Sequence, residues 1–416
     1  MSMLQSIFDG AFLTLQGGIA AIGAYQVVLS AFGLYRKKEV IQYAPQKRFA
    51  VLIAAHNEEQ VVGYLIDNLK QMDYPKELYD IYVICDNCSD GTAKVSREHG
   101  AIACERFDEE KKGKGYGIEW MLERLWEGEK EYDAVVMFDA DNLAAPNFLT
   151  EMNEKLCQGK KVMQGYLDIK NPYDSWVSIS MAISYWFTNR MWQLARYNMG
   201  LSCALGGTGL CIDMQLLKEI GWGATSLTED LEFGVRCVQR GIYPTWVHSA
   251  KVFDEKPVSL RASMRQRLRW MQGHFSCASK FMWPLLTKSI KERNLAKLDA
   301  ALYLFQPMRF LLIFFTSILL LFQVAIPDFW HFTHLSKLLP AWFWIAVNIG
   351  MYIQIPYALM LERVSWKAYI GILIFPLFAL TWIPVTAKAY VTKNNRVWSH
   401  TLHTRAIRVE DLRIRN

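Results

Sequence analysis

Ala134-Val135-Val136-Met137-Phe138 runs directly into Asp139-Ala140-Asp141. Five apolar residues between polar neighbours have the length and composition of a buried strand. Two carboxylates one residue apart at its end form a pair of hard oxygen donors. Such donors suit magnesium or manganese, ions that share their coordination with substrate phosphates. A bare Asp-x-Asp reads first as a solvated acidic turn, and the strand in front of this one argues against that.

Outward from this point the same pattern repeats. Phe49–Ala55 and residues 79–85 are short apolar runs, and residues 58–72 carry helical periodicity. Strands alternating with helices predict an α/β fold around a parallel sheet. Ligands of such sheets bind just beyond the carboxyl ends of the strands. The polar residues at those ends are His56, Asn57 and Glu58, then Asp86 and Asn87, then Asp139 and Asp141.

The 416 residues are 52% hydrophobic, but unevenly so. Residues 11–35 carry no charge and are long enough to cross the ~30 Å hydrocarbon layer at about 1.5 Å per residue. Arg36, Lys37 and Lys38 follow at once. Basic residues after the apolar run mark a retained anchor with its N-terminus outside, not a cleaved leader. Three further apolar stretches lie at residues 303–326, Ala341–Leu361 and 368–391, giving about four spans. Residues 261–283 mix arginines with Trp270, Met271, Phe275, Phe281, Met282 and Trp283, as a helix at a membrane interface does. The expected order is therefore an anchor (1–38), a cytosolic soluble domain (39–257), interface helices (258–298), membrane segments (299–391) and a basic tail (392–416).

The net charge of +6 is concentrated beside these apolar stretches, where anionic headgroups attract it. No basic face marks a nucleic-acid binder. Cys85 and Cys88 lack the second ligand pair that a zinc site needs, and the eight cysteines read as reduced thiols. His400 and His403 are likewise unsupported as ligands. The side of the tail is in conflict. Three crossings after the soluble domain would leave it outside, while Lys388, Lys393, Arg396 and Arg405 argue for inside. A last stretch broken at Pro376 and Pro384 would reconcile the two.

Two more motifs carry chemistry. In Thr228-Glu229-Asp230 the threonine suits a helix cap, and a carboxylate here could take a proton from an attacking hydroxyl. In Gln266-Arg267-Leu268-Arg269-Trp270, a helix presents Gln266, Arg269 and Trp270 on one side. A cation there could face a leaving diphosphate, and the indole could support a sugar ring.

In order and spacing, these three motifs resemble those of the membrane-bound family 2 glycosyltransferases, which include cellulose, chitin-oligosaccharide, hyaluronan and poly-N-acetylglucosamine synthases. The resemblance covers roughly residues 49–270. It implies a GT-A nucleotide-sugar-binding domain inserted between transmembrane helices, with the catalytic domain cytoplasmic. Ala54, His56, Asn57 and Glu58 resemble the family's base and ribose site, and Asp86 its base contact, although Asn87 stands where the family often has a second Asp. Lys114 resembles the lysine that approaches the diphosphate. Asp139 and Asp141 would hold donor and metal, Mg2+ or Mn2+. Asp230 would be the general base beside Glu229, with Gln266, Arg269 and Trp270 on the donor. Gly207 and Thr208, in the Gly206-Gly207-Thr208-Gly209 loop, would lie with Trp270 beside the acceptor. The implied reaction is inverting transfer from a UDP-sugar, glucose or N-acetylglucosamine, to a growing β-linked poly- or oligosaccharide. Transfer of one sugar to a membrane lipid is the alternative, and a non-enzymatic nucleotide-binding transporter the remote one.

Overall fold

The computed structural model describes residues 3–224, 226–326, 335 and 340–395. The Trp398-Ser399-His400-Thr401 motif, His403 and the basic residues from Arg396 onward lie outside the described residues.

Eight strands form one sheet: β1 (Phe49–Ala55), β2 (Tyr79–Asp86), β3 (Ile102–Arg106), β4 (Ala134–Asp139), β5 (Leu143–Ala144), β6 (Val162–Ile169), β7 (Leu210–Asp213) and β8 (Thr245–Asp254). Their order is β3-β2-β1-β4-β7-β6-β8-β5. The first four are parallel, and β7 runs antiparallel between β4 and β6. Strand β1 is apolar along its whole length because both its faces are covered. Phe49, Val51 and Ile53 enter one core and Ala50 and Leu52 the other. Register sets Ala54 beside Asp139 on one side and Ile84 on the other, so three strand ends bring their polar residues together.

The helix expected from residue 58 begins only at Val62. Asn57 takes a left-handed backbone (φ 58°), and the chain turns before the helix can start. The Met214–Ile220 helix is capped by the Asp213 side chain. Residues 261–283 belong to one 32-residue helix, Leu260–Lys291, whose Ser259 side chain caps its first turn.

All four apolar stretches are helical: Met3–Ala31, Leu295–Ala325, Ala341–Leu361, and a last one broken at Thr381 into Lys367–Leu380 and Trp382–Val391. Among the described residues, Ser6–Leu34, Leu295–Gln323 and Lys367–Val391 are long and apolar enough to cross a membrane, and Ile349–Leu361 is a shorter apolar piece. Polar contacts tie these helices to the catalytic domain. Arg190 donates to the carbonyls of Gly33 (2.7 Å) and Leu34 (2.9 Å) and pairs with Glu362 at 3.4 Å. His248 of β8 lies 3.4 Å from the same carboxylate. Arg196 pairs with Asp299 at 2.6 Å, and the Tyr25 hydroxyl donates to Asp299 at 3.0 Å. Arg309, a charge inside an apolar stretch, donates to Gln26 of the first helix.

Candidate active site

Asp139 ends β4, where its backbone N–H donates to Asn142 Oδ1 and Thr208 Oγ1, both at 3.2 Å. Thr208, expected beside the acceptor, is only 2% exposed. Its hydroxyl also donates to Asn142 and so holds the aspartate turn. Gly207 does reach the site. Its φ of +79° favours glycine, and its carbonyl accepts from Lys114 Nζ at 2.6 Å. A Cβ on Gly207 would stand 3.5 Å from Asp230 Oδ2.

Lys114 opens the Lys114–Glu127 helix after Gly113. Its ammonium meets Asp139 Oδ1 at 2.5 Å and Glu229 Oε1 at 3.7 Å. Burial opposes that charge, but Asp139 and Glu229 outweigh it and hold the lysine protonated. Glu229 and Asp230 begin the Glu229–Gln239 helix. Burial, then the Glu229 charge, pushes the Asp230 carboxyl up to about 7. A carboxylate poised near neutrality suits a general base.

Thr228 makes no side-chain cap, contrary to the capping expectation. It packs instead on the Leu260–Lys291 helix, where a Cβ on Gly273 would fall 2.4 Å from its Oγ1. From the same helix, Arg269 feels the charges of Glu229, Asp139 and Asp230, although burial weakens its own. Gln266 is buried, and its Oε1 has no hydrogen-bond partner among the described residues. Lys256, also buried, lies 5.5 Å from the Trp270 ring centre, pairs with Asp254 and donates to the Tyr185 hydroxyl at 3.0 Å. Tyr185 and Tyr303 both feel the Asp230 charge, Tyr303 from the Leu295–Ala325 helix. Sequence reasoning missed Lys256 and both tyrosines, because their places depend on packing between distant elements.

At the other end of the cleft, His56 Nδ1 lies 2.7 Å from the Asp86 carbonyl. Asn57 Oδ1 accepts from the Ser89 N–H at 2.8 Å, and the Glu58 N–H donates to Thr92 at 2.9 Å. Asp86 pairs with buried Arg106 at 2.6 Å and accepts from Asn87 and from the Gly113 N–H. Asp86 therefore holds Arg106 and the loop before Lys114, a second cation that the sequence did not announce.

A divalent ion fits the chemistry of this donor set. Asp139 and Asp141 offer hard oxygens only, and Asp139 already faces a cation, the Lys114 ammonium. Asp141 accepts hydrogen bonds from Asn142 and the Glu255 N–H, both at 3.3 Å. Among the described residues no three His, Cys, Asp or Glu gather around one point, so phosphates and water would complete the shell.

A sheet carrying Asp-x-Asp at a central strand end, faced by Lys114, Asp230 and Arg269, has the GT-A-like α/β architecture. The chain belongs to the glycosyltransferase like family 2, whose model matches residues 45–273. It is 25% identical over 248 residues to the probable glycosyltransferase YdaM of Bacillus subtilis, covering 56% of this chain and 57% of that one. It is 28% identical over 294 residues to a beta-monoglucosyldiacylglycerol synthase of Trichormus variabilis, covering 67% of this chain and 58% of that one. The chain thus spans under three-fifths of the length of these curated relatives. Its fold is similar to that of the Pyrobaculum calidifontis mannosyltransferase PcManGT, solved with GDP-Man and Mn2+, at a TM-score of 0.57 and 16% identity over 93% of this chain and 98% of that one.

Proposed function

We propose that the chain transfers a hexose from a uridine diphosphate sugar to a hydroxyl of a membrane lipid, inverting the anomeric carbon. The observation that carries this reading is the convergence of Asp230 with Lys114 and Asp139 in one cleft. The lipid acceptor rests on the likeness to a diacylglycerol glucosylating enzyme and on Tyr303, which reaches the cleft from an apolar helix. The catalytic domain faces the cytoplasm, in keeping with Arg36, Lys37 and Lys38 after the first helix.

In this mechanism Asp230 takes the proton of the acceptor hydroxyl. The hydroxyl oxygen bonds to C1 of the sugar as the bond from C1 to the phosphate oxygen breaks, and uridine diphosphate leaves. Arg269 and Lys114 stabilise charge gathering on that diphosphate, usually the largest single contribution in such sites. A divalent ion held by Asp139 and Asp141 would add Lewis-acid stabilisation of the same charge. Gly207 leaves room at Asp230, while Arg106 and His56 border the base pocket. One displacement converts an α-linked donor into a β-glycoside.

The test supplies the protein in lipid with a panel of nucleotide sugars, diacylglycerol and either ion. The expected product is a lipid carrying one β-linked hexose, with turnover lost in excess chelator. Full turnover in chelator, or a polymeric product, overturns the corresponding part.

A further inference from the structure

The last apolar stretch reads as a membrane span by length and composition, yet the catalytic side of the molecule holds it from end to end. Just before it, Glu362 pairs with Arg190 and His248, so the chain has already returned to the catalytic domain. At its start, Gly371 lies against the Trp176–Thr188 helix, so close that a Cβ would fall 2.7 Å from Ile179. At the break, Arg267 Nη2 donates to Thr381 Oγ1 at 2.9 Å, with its guanidinium 4.4 Å and 4.7 Å from the Phe378 and Trp382 ring centres. At its end, Gln272 donates to Thr392 Oγ1 at 2.8 Å, and Phe275 meets Tyr390 with ring centres 5.4 Å apart.

A crossing segment moves about 30 Å away from the side it leaves. The stretch is divided at Thr381 into helices of 14 and 10 residues, roughly 21 Å and 15 Å long. A crossing would also carry the buried Arg267 toward the middle of the hydrocarbon, a costly place for a charge. We infer that Lys367–Val391 lies in the plane of the bilayer, beneath the catalytic domain, and does not cross it.

The exposed side chains fit this placement. Trp366, Ile370, Leu373, Leu377 and Leu380 recur at steps of four and three, a single stripe along the helix, with Leu373 85% exposed. Ala368, Gly371 and Phe378 are buried, with Ala368 and Phe378 in the core shared with the catalytic domain. Both faces are therefore apolar, one against protein and one against lipid, and the stretch resembles a span for that reason. After the catalytic domain the chain crosses twice, through Leu295–Ala325 and Ala341–Leu361, and Asn395 returns to the catalytic side. The basic residues Lys388 and Lys393 then obey the positive-inside pattern, and the conflict over the tail disappears.

Two measurements on the full chain in membranes test this, and neither reads activity. One tag follows Asn416, and a second is inserted in the exposed loop at residues 109–111. In sealed vesicles, protease should reach both tags or neither, and opposite accessibility overturns the inference. In the second, nitroxides are placed singly at residues 370, 373, 377 and 380, after the half-exposed Cys88, Cys104 and Cys157 are changed to serine. A common depth is expected. A crossing helix instead gives a steady gradient of about 1.5 Å per residue, roughly 15 Å from 370 to 380, which overturns the proposal.

Discussion

At the scale of single residues, Asp230 separates chemistry from folding. Asp230→Asn keeps the shape but removes the proton acceptor. Turnover should fall by roughly 10²–10⁴-fold while uridine diphosphate binding survives, read by kinetics and calorimetry on one preparation. In the folded protein the Asp230 carboxyl titrates near 7, against 3.8 as the ordinary value. Its folded form thus holds a proton more tightly than its unfolded form. Its contribution to stability is fully present below pH 3.8 and is lost as pH rises toward about 7. Near pH 8 the asparagine variant should therefore melt no lower than the parent, whereas loss of a helix-supporting charge would lower it. The same titration predicts that kcat/KM rises with pH along a limb near 7. Lys114 pulls the Asp230 carboxyl down, so Lys114→Met should move that limb to higher pH and raise the donor KM. An unmoved limb would place Lys114 outside the electrostatics of the base.

At the scale of elements, the contact between Gly273 and Thr228 aligns the base with the Arg269 helix. Gly273→Ala places a methyl where Thr228 already stands, and overpacking of this kind costs about 1–3 kcal/mol. Turnover should fall along with the melting temperature, and Thr228→Ala in the same chain should restore part of both. If Gly273→Ala alone is silent, the two elements are not in firm contact. The sheet and its acidic ends were legible in the sequence, because burial on both faces of β1 and β4 requires continuous apolar runs. The motifs also marked Asp139, Lys114, Asp230 and Arg269, which the fold brings near one another. Hidden were the features made by chain segments far apart: Arg106 against Asp86, Lys256 under Trp270, Thr208 turned inward, and the turn that delays the first helix to Val62. Periodicity records which face a residue presents and not which distant group waits there.

At the scale of the whole molecule, the buried Glu362 carboxylate gathers Arg190 and His248, with Arg190 also holding the end of the first helix. Glu362→Ala strands buried Arg190 without its anion, and breaking such a pair costs about 3–5 kcal/mol. The expected outcome is a markedly lower melting temperature in lipid, with turnover per folded molecule largely kept. An unchanged melting temperature would mean that the joint is not closed in the native protein. The core around Tyr166 and Trp186 mixes catalytic-domain residues with Leu359, Ala368 and Phe378, so no seam separates an extramembrane body from its anchor. With these helices in a bilayer, extraction would also perturb the interior of the protein. A detergent that wets Leu373 poorly loosens the helix whose other face reaches, through Phe378 and Arg267, the neighbours of Trp270. Activity measured in different detergents should rank with how well each mimics a flat sheet of acyl chains, even where the cleft itself never meets the solvent.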